Sequence, residues 1–420
     1  MLTDNRDADA TELAINSAQF LNRIETLASI GAIPGTSGCS RLALTDEDQA
    51  ARNLVVEWML DLGLQVSIDG IGNVTAVMPT PQGPPVMTGS HIDTVSTGGR
   101  YDGNLGVIAG LAVIETILSA DVELIRPLAV SFFTDEEGVR FPPDMLGSLV
   151  YVGGLDLEEA LQIEGIDGTT VGAELNRISY RGTSPCPAPA PYSFIELHIE
   201  QGPVLEAKNL DIGVVTGVQG ISWTEITIAG QANHAGTTPM QMRRDPAFVA
   251  ASIAVFVNDL AHSMGHPQVA TVGKMDLHPN LVNVVPASAT MTVDMRNTDE
   301  TALQQAEAAL NVRLTELSEQ YEVEINSQLL ARFEPVEFDP KIIDLVEETA
   351  RSQGHEPLRM PSGAGHDAQM LARVCPAGMI FVPSKHGISH NPAEHTEASD
   401  LIAGANVLLS AMLALAVEHK

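Results

Sequence analysis

Five short stretches bring imidazole and carboxylate side chains into patterns that can do chemistry. His91 lies in Gly89-Ser90-His91-Ile92-Asp93-Thr94, and Asp102 follows in Gly99-Arg100-Tyr101-Asp102-Gly103, with Thr134-Asp135-Glu136-Glu137-Gly138 as the third stretch. His198 sits in Glu196-Leu197-His198-Ile199-Glu200-Gln201-Gly202, and His390 in Gly387-Ile388-Ser389-His390-Asn391-Pro392. Histidine and carboxylate without thiolate suit zinc, manganese, cobalt or nickel. Three imidazoles and two carboxylates can hold two such ions if one carboxylate bridges them. A metal pair clamps a water and lowers its pKa toward about 7. A further carboxylate beside that water can act as general base and then as acid. Glu136 and Glu137 suit a divided role, one ligating and one handling the proton, and spacing alone leaves open which does which. Each piece alone has an ordinary reading, as a structural histidine, a turn aspartate or a solvated acidic pair. Their joint occurrence carries the argument.

The elements around these residues follow from periodicity. Residues 11–30 and the segment after Thr45, ending at Gly63, read as helices. Strands are expected over 64–68, 73–78 and 85–90, a buried helix over 106–118, and a buried strand over 127–134. Pro185–Pro191 reads as a rigid loop before a strand over 193–199. The histidine and acidic stretches thus fall where strands give way to loops, which is where open α/β sheets bind ligands. From about 216 the order becomes β-α-β-β-α-β, a split βαβ unit, with Asp245-Pro246 as the cap and first position of its first helix. A helix over 340–353, a strand over 377–382 and a helix over 398–418 return to the first domain. The fold class is therefore α/β: a mixed-sheet domain with helices on both faces, built from 1–215 and 330–420, plus an inserted α+β domain over 216–329.

Composition narrows the function classes. With 54 acidic and 22 basic residues in 420, the formal net charge is −32. That argues against binding nucleic acid, which needs a basic face, and against docking on an anionic membrane. No apolar run is expected to approach the 18 residues of a spanning helix. Met1–Ala10 is polar and acidic, without the pattern of a secretion signal. The three cysteines, Cys39, Cys186 and Cys375, are no disulfide framework. A cytoplasmic location is expected. An anionic substrate would need local cations against the overall field.

The combined motifs resemble the dinuclear metallo-amidohydrolases that include N-carbamoyl-L-amino-acid hydrolase, allantoate amidohydrolase and β-ureidopropionase, within the wider aminoacylase and metalloexopeptidase clan. The resemblance runs through His91-Ile92-Asp93, Tyr101–Val107, Glu136–Phe141, His198–Pro203, Gly230–Met240, Asn283–Pro286, Asp294-Met295-Arg296, Gly363–Asp367 and Gly387–His390. It implies one ion on His91, Asp102 and His198, a second on Asp102, Glu137 and His390, and Glu136 as general base. It implies that Asp93 orients the His91 imidazole. Gln201, His234, Asn283 and Arg296 match positions that contact substrate, His234 as oxyanion donor and Arg296 as a fork for a carboxylate. Many exopeptidases of the clan carry a carboxylate where this chain has His198, which favours the carbamoylase and allantoate branch. The expected substrate is the ureido group of a small carboxylate, first an N-carbamoyl-L-amino acid, then allantoate or N-carbamoyl-β-alanine. An N-acyl-amino acid or dipeptide is a further alternative, and a ligand-binding module that kept the fold is the non-enzyme one. The inserted domain is expected to act as a lid and to pair in a homodimer. Lys385 and His386 read as a solvated loop or a substrate contact, and Glu394 and His395 as loop residues.

Overall fold

The computed structural model describes residues 13–417. The stretch Met1–Ala10 and the first positions of the helix expected over 11–30 lie outside the described residues. The chain forms two compact units, one running up to Thr216 and resuming at Phe338, the other Gly217–Glu337.

The first unit is built on a mixed sheet. Its order runs Gln65–Ile68, Val74–Val77, Leu128–Phe133, Val86–His91, Ser193–Ile199, Ala377–Val382, then Gly213–Val218. The four strands from Leu128–Phe133 to Ala377–Val382 are parallel neighbours. Every residue in them is buried, so both sheet faces are covered. Parallel neighbours end on the same side, and that side receives His91, the 134–138 turn, His198 and the loop to His390.

One helix fixes the approach of Asp102 to that edge. Asn104–Ala120 is apolar nearly throughout and packs on the strands beneath it. At Gly106 an added Cβ would lie 2.7 Å from the Leu197 carbonyl oxygen and 2.9 Å from Ser90 Cβ, so this turn of helix needs glycine. Gly103 caps the helix at φ 67°, where side chains are strained, and a Cβ there would meet the His91 ring at 2.4 Å. Asp102 is thereby set at the helix start, where the helix dipole favours negative charge.

Two buried arginines tie down the loops. Arg41 is fully buried and donates to the Ile92 carbonyl at 2.8 Å, to Ile30 at 2.7 Å and to Asn104 Oδ1 at 2.7 Å. It thus joins the chain leaving His91 to the start of the Asp102 helix. Arg52, paired with Asp48 at 2.7 Å, reaches Thr134 Oγ1 at 3.2 Å at the foot of the acidic turn.

The second unit is a four-stranded antiparallel sheet, ordered Glu324–Phe333, Gly220–Ala229, Ser288–Asn297, Val269–His278, with helices Pro246–Met264 and Glu300–Tyr321. Ile226, Ile228, Met291, Val293 and Met295 from the sheet meet Val249, Ile253, Leu303 and Leu310 from the helices. Asp245 caps the first helix, accepting from Ala247 and Phe248 N–H, with Pro246 at the first turn. The unit extends past residue 329 because its last strand continues to Phe333, after which Val336–Glu337 pairs with Gly217–Val218. The expectation about apolar runs needs correction. Pro246–Met264 and Ala398–Val417 are both long and apolar enough to cross a membrane by length and composition. Polar residues such as Asn258, Asp259, Asn406 and Ser410 interrupt the runs and hid them from the sequence reading. In the structure Leu401, Leu408 and Met412 of the second helix are core residues, and Val249 and Ile253 of the first pack in their own unit.

Candidate metal centre

Six side chains of the first unit meet beyond the carboxyl ends of its parallel strands. His91 ends one strand and His198 is the sixth residue of its neighbour. Glu136 and Glu137 follow the strand Leu128–Phe133, and His390 lies in the loop after Ala377–Val382. Asp102 stands in the middle. Its Oδ1 is 3.1 Å from His198 Nε2 and 3.6 Å from His91 Nε2. Its Oδ2 is 3.4 Å from His390 Nε2, which is itself 3.3 Å from Glu137 Oε2. Among the described residues, His91, Asp102 and His198 form one potential metal group, and Asp102, Glu137 and His390 another, with ligand atoms within 4.8 Å of one another. Glu136 belongs to neither group, and its Oε2 lies 3.3 Å from His91 Nε2.

The donor chemistry fits divalent cations. His91 Nδ1 faces the Asp93 carbonyl at 2.9 Å, and His198 Nδ1 faces the Ile199 carbonyl at 2.9 Å. A ring nitrogen facing a carbonyl carries the proton, which leaves each Nε2 lone pair facing the carboxylates of the centre, that of His198 also accepting the Gly103 N–H at 3.1 Å. Lone pairs facing carboxylate oxygens repel unless a proton or a metal ion lies among them. Without metal, protons take that place. Burial opposes the charged His91 ring, but Glu136, Asp102, Asp93 and Glu137 lift its pKa well above the ordinary value. Burial likewise works against the Asp102 carboxylate, yet hydrogen bonds with His198, His390 and His91 hold its pKa well below the usual range. Glu137 is pushed up to about 8, by burial first and then by Asp102. His390 is pushed up to about 9, chiefly by its bond to Asp102.

Asp93 meets the His91 ring through its main chain. Its main-chain carbonyl, not its carboxylate, is the close partner of the His91 ring, the carboxylate lying 3.9 Å away. The Asp93 carboxylate instead accepts the N–H groups of Glu136 and Glu137, each at 3.3 Å, and so shapes the acidic turn. Gln201, in positive φ, donates to Asp102 Oδ2 at 2.9 Å and therefore lies at the centre.

The three other expected contact residues belong to the second unit. His234 forms a two-residue ladder with Val284, and the Ala235 N–H donates to the Asn283 carbonyl at 3.0 Å, so His234 and Asn283 are neighbours. His234 Nδ1 accepts the N–H of Gly236 at 3.1 Å and of Thr237 at 3.3 Å. Those bonds place the ring proton on Nε2, the state needed in a donor to an oxyanion. Arg296 forks onto Asp294, with Nη2 at 2.9 Å, and lies over the Trp223 ring. Its guanidinium already holds an internal carboxylate, which the expectation of a fork presented to substrate did not include.

Sequence reasoning missed several residues of this centre. Glu196, His198 and His366 form a third buried group. Glu196 accepts from Ser90 Oγ at 2.6 Å and from Ala368 N–H at 2.8 Å, while His366 packs on the His198 ring at 4.5 Å between centroids. Glu394, expected in a solvated loop, is 2% exposed and accepts the Asp102 N–H at 3.2 Å. The Gly-His-Asp sequence at 365–367 was the only signal for the first of these. Lys385 pairs with Glu397 at 3.0 Å, and His386 donates its main-chain N–H to Glu206, both within the short 3-10 turn Lys385–Gly387.

Comparison with known proteins agrees with the resemblance read from the motifs. The chain is 38% identical over 402 residues to an N-carbamoyl-L-amino-acid amidohydrolase of Rhizobium meliloti, covering 95% of this chain and 96% of that one. It is 35% identical over 396 residues to the allantoate amidohydrolase of Escherichia coli, covering 93% and 96%. The crystal structure of a hydantoinase/carbamoylase family amidase from Burkholderia multivorans superposes with a TM-score of 0.94 at 42% identity, covering 97% of this chain and all of that one. The profile of peptidase family M20/M25/M40 matches residues 87–414. This chain belongs to that family.

Proposed function

We propose that this protein hydrolyses the carbamoyl group of N-carbamoyl-L-amino acids, with two divalent ions per subunit. The observation that carries the reading is the placing of Asp102 between two ligand groups, with Glu136 beside them and outside both. His91, Asp102 and His198 would hold one ion, and Asp102, Glu137 and His390 the other. Zinc, manganese, cobalt and nickel all suit the set. The ions supply a Lewis acid and a water of lowered pKa. Glu136 would take a proton from the attacking water and pass it to the leaving nitrogen. Its carboxyl pKa stands well above the ordinary range, through burial and then His91 in opposition, with Asp367 adding to the rise. His234 donates from Nε2 to the carbonyl oxygen. Gln201, Asn283 and Arg296 are assigned to the rest of the substrate, with the substrate carboxylate displacing Asp294 on Arg296. One water and one carbamoyl-amino acid give the free amino acid, ammonia and carbon dioxide.

Ammonia release across carbamoyl-amino acids, allantoate, N-carbamoyl-β-alanine and acyl-amino acids tests the substrate class. The account expects carbamoyl-L-amino acids to give the highest kcat/KM, and activity confined to acyl-amino acids or dipeptides would overturn it. Allantoate is the second reading, favoured by the relative of that name. We also assign the second unit to lid and homodimer formation; sedimentation is expected to give a dimer, and a monomer would overturn that assignment. A cytoplasmic site of action suits the three free thiols.

The metal-free protein should lose stability as pH rises. Its folded state holds Glu137 protonated up to about 8 against an ordinary 4.5, and His390 up to about 9 against an ordinary 6.5. A raised folded pKa gives stability that is full below the unfolded pKa and lost through the folded one. The decline therefore runs from about pH 5 to pH 9. Divalent ions replace those protons, so the loaded protein should show a flatter Tm profile over this range. Parallel profiles with and without chelator would contradict the ligand assignment.

A further inference from the structure

One buried carboxylate outside both ligand groups hydrogen-bonds to two of the turns that carry the ligands. Glu394 accepts at Oε1 from the N–H of Tyr101 at 3.0 Å and of Asp102 at 3.2 Å. Its Oε2 lies 3.1 Å from Ser389 Oγ, and the same hydroxyl lies 2.9 Å from Asp102 Oδ2. Ser389 adjoins His390. The carboxylate thus spans two turns that are remote in sequence, one bearing the shared aspartate and one bearing a histidine of the second group. The surroundings are shaped to admit it: at Gly99 an added Cβ would lie 2.0 Å from Glu394 Oε1 and 2.1 Å from its Cδ.

We propose that Glu394 is a positioning residue that locks the Asp102 turn to the Ser389-His390 turn, holding the second metal position together. This rests on the dimetal reading above. The two peptide N–H groups fix the Asp102 backbone, and the hydroxyl fixes Asp102 Oδ2, the oxygen that faces His390. Loss of Glu394 frees both turns, and the effect falls on the second position more than on the first, because His91 and His198 are set by their strands and by main-chain carbonyls.

The test is manganese binding by calorimetry to the chelated full chain, with kcat, KM and a thermal melt on each variant. Glu394→Ala should weaken the second manganese equivalent about 10- to 100-fold and lower kcat by a similar factor, the range typical of groups that orient metal ligands. The first equivalent and KM should hardly move. Glu394→Gln retains an acceptor for the two N–H groups and a donor for Ser389, so it should recover most of the loss. Gly99→Ala leaves Glu394 present but displaces it, and should repeat the Glu394→Ala pattern even if that variant fails to fold. Two manganese equivalents bound normally in Gly99→Ala, or Gln as damaging as Ala, would overturn the proposal. A wild-type chain that binds no manganese would instead overturn the dimetal reading on which it rests.

Discussion

Glu136→Gln is expected to bind its metal ions as the wild type does and to lower kcat by about 10²- to 10⁴-fold, the usual contribution of general acid–base catalysis. Glu136 lies outside both ligand groups, yet its Oε2 is 3.3 Å from a ring nitrogen of one of them. It is only 8% exposed, and burial lifts its carboxyl pKa well above the ordinary range, as expected of a group that must hold and pass on a proton. Glutamine keeps the size and the hydrogen bonding but cannot take a proton. KM should stay close to the wild-type value, because no substrate contact is assigned to this side chain. Elemental analysis of metal content alongside kcat separates the roles. Lost metal would make Glu136 a ligand, and full turnover would remove it from the proton path.

Asp102→Asn should have the larger effect, on the order of 10⁴-fold or more in turnover, about 5 kcal/mol of barrier. Asp102 is the one side chain common to both groups, so its loss cannot be confined to one ion. By contrast, His390→Ala leaves His91, Asp102 and His198 intact. The substitution also undoes the local electrostatics. Three imidazoles lean on this carboxylate, whose pKa they hold well below the ordinary range. Without it, His390 loses the chief cause of its pKa of about 9 and returns toward ordinary histidine behaviour. Metal titration of the variant should show both equivalents weakened. Retention of one tight equivalent would mean that Asp102 does not bridge.

Most of the scaffold could be read from the sequence because it rests on local rules. The alternation in 222–228 and 287–295, the Asp245-Pro246 cap and the solid apolar run before Thr134 each point to one element, and the structure forms those elements. The cluster of histidines and carboxylates was legible because metal-binding chemistry needs those residue types together. What escaped depends on distant partners. Glu394 looks solvated beside Asn391 and Pro392, and only the meeting with Tyr101 and Asp102, nearly 300 positions away, makes it a buried acceptor. Arg41 and Arg52 likewise look like surface residues until carbonyls and Asp48 surround them. Asp93 was expected to orient the His91 ring, but residue type says nothing about whether its carbonyl or its carboxylate faces the ring, and the structure sets the carbonyl there. The Arg296–Asp294 fork is visible as an alternate pair on one strand face, yet the family resemblance drew attention to substrate instead.

The most direct test follows ammonia release from an N-carbamoyl-L-amino acid as manganese is titrated into the chelated protein. The account predicts no turnover without metal, and a rise that reaches its plateau at two equivalents per chain. Ammonia release by the metal-free chain, or none at any manganese concentration, would contradict it.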